Sequence, residues 1–278
     1  MLKHTSFRIG GPADLFVIPA GVNDLTRLLE SLIDKEIPFF ILGRGSNLLV
    51  SDRGVRGIVI QVGPGLTGVN FQSYCVIAEA GVTLSRLACS VAEEGLSGLE
   101  FAAGIPGTIG GAVVMNAGSG GGDISQVVSR VRIFIPGSGI KDWTGKDCQF
   151  EYRSSRVRGS GEIILEVELR LESGLIPVIK ERMDESMARR KKSFPLEYPS
   201  AGSIFKKPPG DYASRLIEAT GLRGEIVGGA QISKKHANII VNRSVARCRD
   251  VEQLITLARR KVREKFSIDL NLELEIWK

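Results

Sequence analysis

Apolar residues recur at two periods along this chain of 278 residues, and the period assigns most of its elements. Val22, Leu25, Leu28, Leu29, Leu32 and Ile33 share one face at helical spacing, which predicts a helix starting near Asn23 or Asp24. Leu84, Leu87, Ala88 and Val91 predict a second, capped by Thr83 and stopped at Gly95. Residues 176–192 predict a third, closed by Arg189, Arg190, Lys191 and Lys192, whose charge suits a helix C-terminus. A short helix over 212–220 stops at Gly221, and Val251, Leu254, Ile255, Ala258 and Val262 mark a last, amphipathic one. Short apolar runs predict strands over 15–18, 39–42, 58–62, 76–79, 127–135, 163–171 and 238–241. Near the C-terminus Ile268, Leu270, Leu272, Leu274 and Ile276 alternate with Asp269, Asn271, Glu273 and Glu275. That alternation predicts a strand with paired carboxylates on its polar face.

Glycine breaks the pattern at two places. Ten of the 28 residues from 95 to 122 are glycine, out of 33 in the chain, and Glu100 is the one charged residue among them. Glycine is entropically costly unless the backbone takes unusual dihedrals or approaches something closely. The run therefore predicts a loop whose N–H groups turn toward a ligand, phosphate above all. Apolar clusters at 99–101 and 112–115 argue for anchorage in a core and against a flexible linker. The second place is Gly43-Arg44-Gly45-Ser46-Asn47, directly after the strand at 39–42. It can wrap a pyrophosphate, although it is neither a Walker A loop nor GxGxxG, and a simple β-turn is its plainer explanation. Tyr152-Arg153-Ser154-Ser155 sets an arginine beside a tyrosine and hydroxyls, which suits carboxylate or phosphate; a solvated basic loop is the plainer explanation there.

Composition narrows the classes of function. A hydrophobic fraction of 43% supports a full core. No apolar run approaches the roughly 18 residues that would cross a membrane, and the start MLKHTSFRIGG lacks the apolar segment of a signal peptide. Cys75, Cys89, Cys148 and Cys248 are far apart, without a CxxC pair, and the histidines are His4 and His236. No metal site is expected; free thiols in a reducing cytoplasm are. The net charge of +6 is mostly scattered and fits acidic small molecules as well as nucleic acid.

Seven stretches then stand in order: HTSFRIGGPAD at 4–14, LGRGSNLLVSD at 42–52, GLEFAAGIPGTIGGAVVMNAG at 98–118, YRSSR at 152–156, PSAGSIFKKP at 199–208, GGAQISKKHANIIVN at 228–242 and LELEI at 272–276. Together they resemble the UDP-N-acetylmuramate dehydrogenases, also called UDP-N-acetylenolpyruvoylglucosamine reductases, of bacterial peptidoglycan synthesis. The resemblance covers nearly the whole chain, and the chain's shortness is that of the family's compact type. It implies an α+β chain. An FAD-binding domain of the vanillyl-alcohol oxidase and p-cresol methylhydroxylase kind would occupy 1–172, as two α/β subdomains of about 1–62 and 63–172. An α+β substrate domain would occupy 173–278.

The same resemblance implies NADPH-dependent, FAD-mediated reduction of UDP-N-acetylglucosamine enolpyruvate to UDP-N-acetylmuramate. FAD would be contacted by Gly43, Gly45, Ser46, Asn47 and Leu48, and by Pro106, Gly107, Thr108, Gly110, Gly111 and Asn116. No His or Cys lies between Thr5 and Tyr74 or between Ser90 and Asp147, so non-covalent FAD is expected. Catalysis would fall to Arg153 at the substrate carboxylate, Ser203 as proton donor to C2, and Glu275, which the resemblance chooses over Glu273. Tyr152, Lys206, Lys207 and His236 would line the substrate. A cytoplasmic monomer without nucleic-acid or membrane partners is expected. Two positions depart from the family: Lys207 replaces the asparagine of F-K-N-P, and Val157 stands where the YR segment usually continues with phenylalanine. Two other readings stay open, a flavin oxidase of the same fold acting on an alcohol or sugar, and a non-catalytic nucleotide-binding module.

Overall fold

The apolar faces condense into two separate clusters. The computed structural model describes residues 1–278. Six α-helices form: α1 (Val22–Asp34), α2 (Leu84–Glu93), α3 (Ile109–Met115), α4 (Ile176–Ser193), α5 (Ala213–Ala219) and α6 (Cys248–Phe266). The chain divides into a first compact unit of Met1–Asp14, Gly45–Arg56 and Lys191–Lys278, and a second of Leu15–Arg44 and Gly57–Arg190. These units follow packing within the chain, whereas the expected domains 1–172 and 173–278 divide it by what each part would bind. Phe7, Ile9 and Leu49 share a core with Phe205, Leu216, Leu254 and Val262. Periodicity tells which face of a segment is buried, and not which distant segment buries it.

The second unit is built on a five-stranded antiparallel sheet in the order Gly139–Thr144, Val128–Ile135, Ile163–Arg170, Cys75–Glu79, Val69–Gln72. Leu84, Leu87, Ala88 and Val91 of α2 and Ile109 and Val113 of α3 pack in one cluster with Val76, Ala78, Val131, Val167 and Leu169 of that sheet. A parallel pair, Phe39–Leu42 with 58–61, lies in the same unit. Gly21 is the N-cap of α1, which begins at Val22, so Asn23 and Asp24 stand near its start as expected; Asp24 accepts from the Ala20 N–H at 2.8 Å. Thr83 is the N-cap of α2 without a side-chain capping bond. The glycine-rich run is not one loop. It holds a 3-10 turn, Glu100–Ala102, and the whole of α3. Val157, the departure noted above, is buried at 4% exposure as a core side chain of this unit.

The first unit carries a four-stranded antiparallel sheet in the order Ser200–Ser203, Ile239–Asn242, Ala230–Ile232, Ile226–Val227. Leu216 and Ile217 of α5 and Val251, Leu254, Ile255 and Val262 of α6 fill its core. Asp52 accepts from the Cys248 N–H at 2.8 Å and the Arg249 N–H at 3.2 Å, an acid at the positive end of α6. The expected strand over 268–276 is shorter. Glu275–Trp277 is a strand, paired in parallel with Leu48–Val50. Before it, residue 272 makes one isolated bridge, to Phe205. The alternation still holds in part, because Leu270 and Leu274 are buried and Asn271 is exposed.

Candidate active site

The two glycine stretches converge in the second unit at Gly43 and Thr108. A Cβ on Gly43 would lie 2.8 Å from Thr108 Oγ1. That hydroxyl caps α3, accepting from the Gly111 N–H at 3.3 Å. Gly107 has φ +139°, a region few L side chains adopt, and its carbonyl accepts from the Leu84 N–H at 3.0 Å. The Ile109 N–H donates to Val82 O at 2.8 Å and the Gly110 N–H to Ala80 O at 3.0 Å. These amides, with that of Gly111, are already used inside the chain, so the expected array of outward N–H groups does not include them. Glycine at 110 answers a packing need instead: a Cβ there would meet the Cβ of Ala80 at 2.9 Å. The 3-10 turn is closed by Glu100, which accepts from Ser97 Oγ at 2.6 Å and the Gly98 N–H at 2.7 Å.

Asn116 ends α3 in the left-handed conformation, φ +42°. Its side chain is buried and bonded at both ends: Nδ2 donates to Glu151 O at 3.0 Å, and Oδ1 accepts from the Ser125 N–H at 3.2 Å. This joins it to the arginine segment. Glu151 and Ser154 exchange both backbone hydrogen bonds, at 3.0 and 3.2 Å, so Tyr152 and Arg153 form the tip of a tight turn. Arg153 has φ +56°, uncommon for a residue with a side chain. Its Nη1 and Nη2 donate to the carbonyls of Asn116 (3.3 Å) and Gly118 (2.7 Å), and its guanidinium lies 5.2 Å from the Tyr152 ring centre. Strain at the backbone and anchorage of the fork fix where this charge sits.

The first unit brings the other candidates together. Ser203 pairs with Ile239 across a register shift that separates it from the Ser200–Val241 pair, and Gly202 between them has φ +75°. The next residues lie beside the C-terminal segment: the Glu273 N–H donates to Ile204 O at 2.9 Å, and the Lys206 N–H donates to Asn271 O at 2.8 Å. Glu275 is tied in turn to the glycine turn. Its N–H donates to Asn47 O at 3.0 Å, Asn47 Nδ2 donates to Glu273 O at 2.9 Å, and Glu275 pairs with Leu48. Gly45, φ +59°, sits where a Cβ would meet the His4 carbonyl at 2.5 Å, and its own carbonyl accepts from the Ser6 N–H at 3.1 Å. Ser203, Glu275, Gly45, Ser46, Asn47 and Leu48 therefore belong to one unit; Arg153, Gly43, Asn116 and residues 106–111 belong to the other.

Among the candidate substrate residues, Tyr152 is exposed, Lys206 half-buried, and Lys207 exposed with Nζ 4.4 Å over the Tyr212 ring. The His236 ring stacks on Phe194 at 5.4 Å. Its buried Nδ1 has no hydrogen-bond partner. Burial lowers its pKa, its own backbone hydrogen bond opposes this in part, and Arg223 adds to the lowering. Two features escaped the sequence reading. Arg44, inside the glycine turn, reaches Thr83 Oγ1 at 3.4 Å, and Asn238, buried in an apolar run, binds the backbone of Phe205 through both ends of its amide. A lone polar residue between Ala237 and Ile239 was the available signal. No group of three or more His, Cys, Asp or Glu residues is placed to hold a metal ion, and no helix is long and apolar enough to cross a membrane.

Comparison with known proteins assigns both parts of the chain. Residues 13–141 match the family model "FAD binding domain", and residues 194–277 match "UDP-N-acetylenolpyruvoylglucosamine reductase, C-terminal domain". The chain is 44% identical to the UDP-N-acetylenolpyruvoylglucosamine reductase of Caldanaerobacter subterraneus subsp. tengcongensis over 276 residues, covering 99% of this chain and 91% of that one. It is 44% identical, over the same shares, to the protein of that name from Alkaliphilus oremlandii. Among solved structures, the reductase from Thermus caldophilus superposes with a TM-score of 0.85 at 37% identity, covering 100% of this chain and 97% of that one. With both segments matched and the fold shared end to end, the chain belongs to the UDP-N-acetylenolpyruvoylglucosamine reductase family, FAD-dependent oxidoreductases of peptidoglycan precursor synthesis.

Proposed function

We propose that the protein uses NADPH to reduce UDP-N-acetylglucosamine enolpyruvate to UDP-N-acetylmuramate, as a monomer in the cytoplasm, with an FAD-binding domain in 1–172, which also lends Tyr152 and Arg153 to the substrate, and a substrate-binding domain in 173–278. The observation that carries this reading is family membership over 99% of the chain; Arg153, Ser203 and Glu275 are assigned from the short stretches YRSSR, PSAGSIFKKP and LELEI. The residues present fit a dinucleotide. Gly43 and Gly107 leave backbone bare of side chain where a Cβ would be crowded or strained. Glu100, the one carboxylate in the long run, is held by Ser97 and Gly98. In this reading Gly43, Gly45, Ser46, Asn47, Leu48, Pro106, Gly107, Thr108, Gly110, Gly111 and Asn116 form the FAD site, some by direct contact and Gly110 by letting α3 pack. FAD held there would supply the hydride chemistry, from NADPH to C3 of the enolpyruvyl group.

The chain's own residues handle the charge and the proton. Reduction at C3 moves negative charge onto the substrate carboxylate, and a cation already fixed in place stabilises that charge most. Arg153, anchored on two carbonyls, supplies a planar fork for it. Glu275 completes the set, its segment hydrogen-bonded to that of Ser203 through the Glu273 N–H and Ile204 O. Ser203 donates its proton to C2; a hydroxyl is a weak acid, so it acts on a strongly basic carbanion-like centre. Tyr152, Lys206, Lys207 and His236 bind the remainder of the substrate, Lys207 offering an ammonium to diphosphate in place of the family's asparagine amide. Ser203→Ala tests the assignment. NADPH should still bleach the bound flavin of this variant, while the enolpyruvyl substrate should fail to restore its colour. Reoxidation at the unmodified rate would overturn the role of Ser203.

A further inference from the structure

We propose that Asn238 is a positioning residue for this reaction, its side-chain amide fixing the segment that carries Ser203. The inference rests on the reading of Ser203 as proton donor. Asn238 lies in the run Ala237-Asn238-Ile239-Ile240-Val241 and is only 7% exposed. A buried amide in such a run is expensive unless both its ends are hydrogen-bonded. Here both ends serve one residue: Oδ1 accepts from the Phe205 N–H at 3.0 Å, and Nδ2 donates to the Phe205 carbonyl at 2.8 Å. The Asn238 carbonyl also accepts from the Ile204 N–H at 2.9 Å.

The amide thus does the work of a neighbouring strand at the point where the regular ladder has slipped. The register shift lies between Ser200 and Ser203, and Gly202 takes φ +75° there. Beyond the slip, the backbone of Ile204 and Phe205 has two edges. Asn238 holds one. On the other, Ile204 O accepts from the N–H groups of Glu273 (2.9 Å) and Leu274 (3.3 Å), just before Glu275. Ser203 immediately precedes this clamped dipeptide, and Glu275 follows the segment on its far edge. Leucine at 238 would remove both bonds. Aspartate would keep the acceptor but, when ionised, would set a carboxylate against the Phe205 carbonyl.

The reaction separates positioning from mere support. Reduction adds hydride to C3 and a proton to C2 while the reduced flavin is reoxidised, so the proton donor fixes the configuration at C2. Asn238→Leu and Asn238→Asp holoenzymes should keep flavin content, melting temperature within a few degrees, and the rate of bleaching by NADPH. Reoxidation by the enolpyruvyl substrate should fall on the order of 100-fold, the loss expected of an ångström-scale misplacement, with kcat reduced and KM little changed. The residual product should contain both C2 configurations, because water would replace the serine as donor. Reoxidation within about twofold of the unmodified rate, or product of a single C2 configuration, would overturn the inference, as would equal losses in both half-reactions. Ser203→Ala run alongside separates the failures. If that variant reoxidises normally, the reading of Ser203 fails; if it does not while the Asn238 variants do, only the role of Asn238 fails.

Discussion

Four thiols divide by burial into two chemical classes. Cys89 is exposed and Cys75 half-buried, whereas Cys148 and Cys248 are buried. Burial pushes the Cys148 thiol up to about 11, with Asp147 adding and Arg156 opposing. Burial pushes Cys248 up to about 12, with Glu252 and Asp52 adding. The thiolate is the reactive form, so native protein should label quickly at Cys75 and Cys89 and at Cys148 and Cys248 only after denaturation. The same shifts make a pH statement. A raised folded pKa means that the folded chain holds its proton when the unfolded chain, at the ordinary 9.0, has begun to lose it. Their contribution is therefore complete below pH 9.0 and is lost as pH rises toward about 11 and about 12. Urea midpoints should fall between pH 8.5 and 10.5, and less steeply in Cys148→Ala; equal slopes in the two proteins would contradict the assignment to Cys148.

Helix α3 shows what the glycines do for an element. Its seven residues, Ile109–Met115, bury Ile109, Gly110, Ala112 and Val113. So short a helix is marginal alone and depends on packing. The absence of a side chain at 110 lets it approach Ala80, at the end of a sheet strand, closely enough for the Gly110 N–H to reach the Ala80 carbonyl. Gly110→Ala should cost about 1–3 kcal/mol, the range for overpacking a filled core, read as a lowered denaturant midpoint with unchanged slope. An unchanged midpoint would mean that the strand yields without loss. Because Thr108 and Gly43 adjoin this helix, flavin content should fall in the same variant.

Two discontinuous units make up the whole molecule, and discontinuity has a consequence for folding. The core of the first unit includes Phe7, Ile9 and Leu49. Its last strand pairs with Leu48–Val50, and Asp52 caps α6. A fragment of residues 173–278 lacks all of these. It should show no cooperative thermal transition and should bind a hydrophobic dye; a fragment that melts cooperatively would show that the Lys191–Lys278 part folds without its N-terminal partners.

The helices and most strands were legible from local signals: α1, α2 and α6 follow apolar spacing to within a few residues, α4 ends in its basic cluster and α5 stops before Gly221. The family was legible because its motifs are short runs whose residue types are set by backbone needs, such as bare backbone at Gly43 and Gly45. Tertiary structure decided the rest. It turned a quarter of a supposed loop into α3, since glycine at 110 proved to serve close packing, which leaves no periodicity. It shortened the terminal strand to Glu275–Trp277, since alternation marks faces and cannot supply a neighbouring strand. It drew Phe7, Leu49 and Asp52 into the unit of Ser203 and Glu275, and set the Asn238 amide on Phe205. Those contacts join residues far apart in the chain, and a linear pattern carries information about period and type, while partners are chosen only when the chain closes on itself.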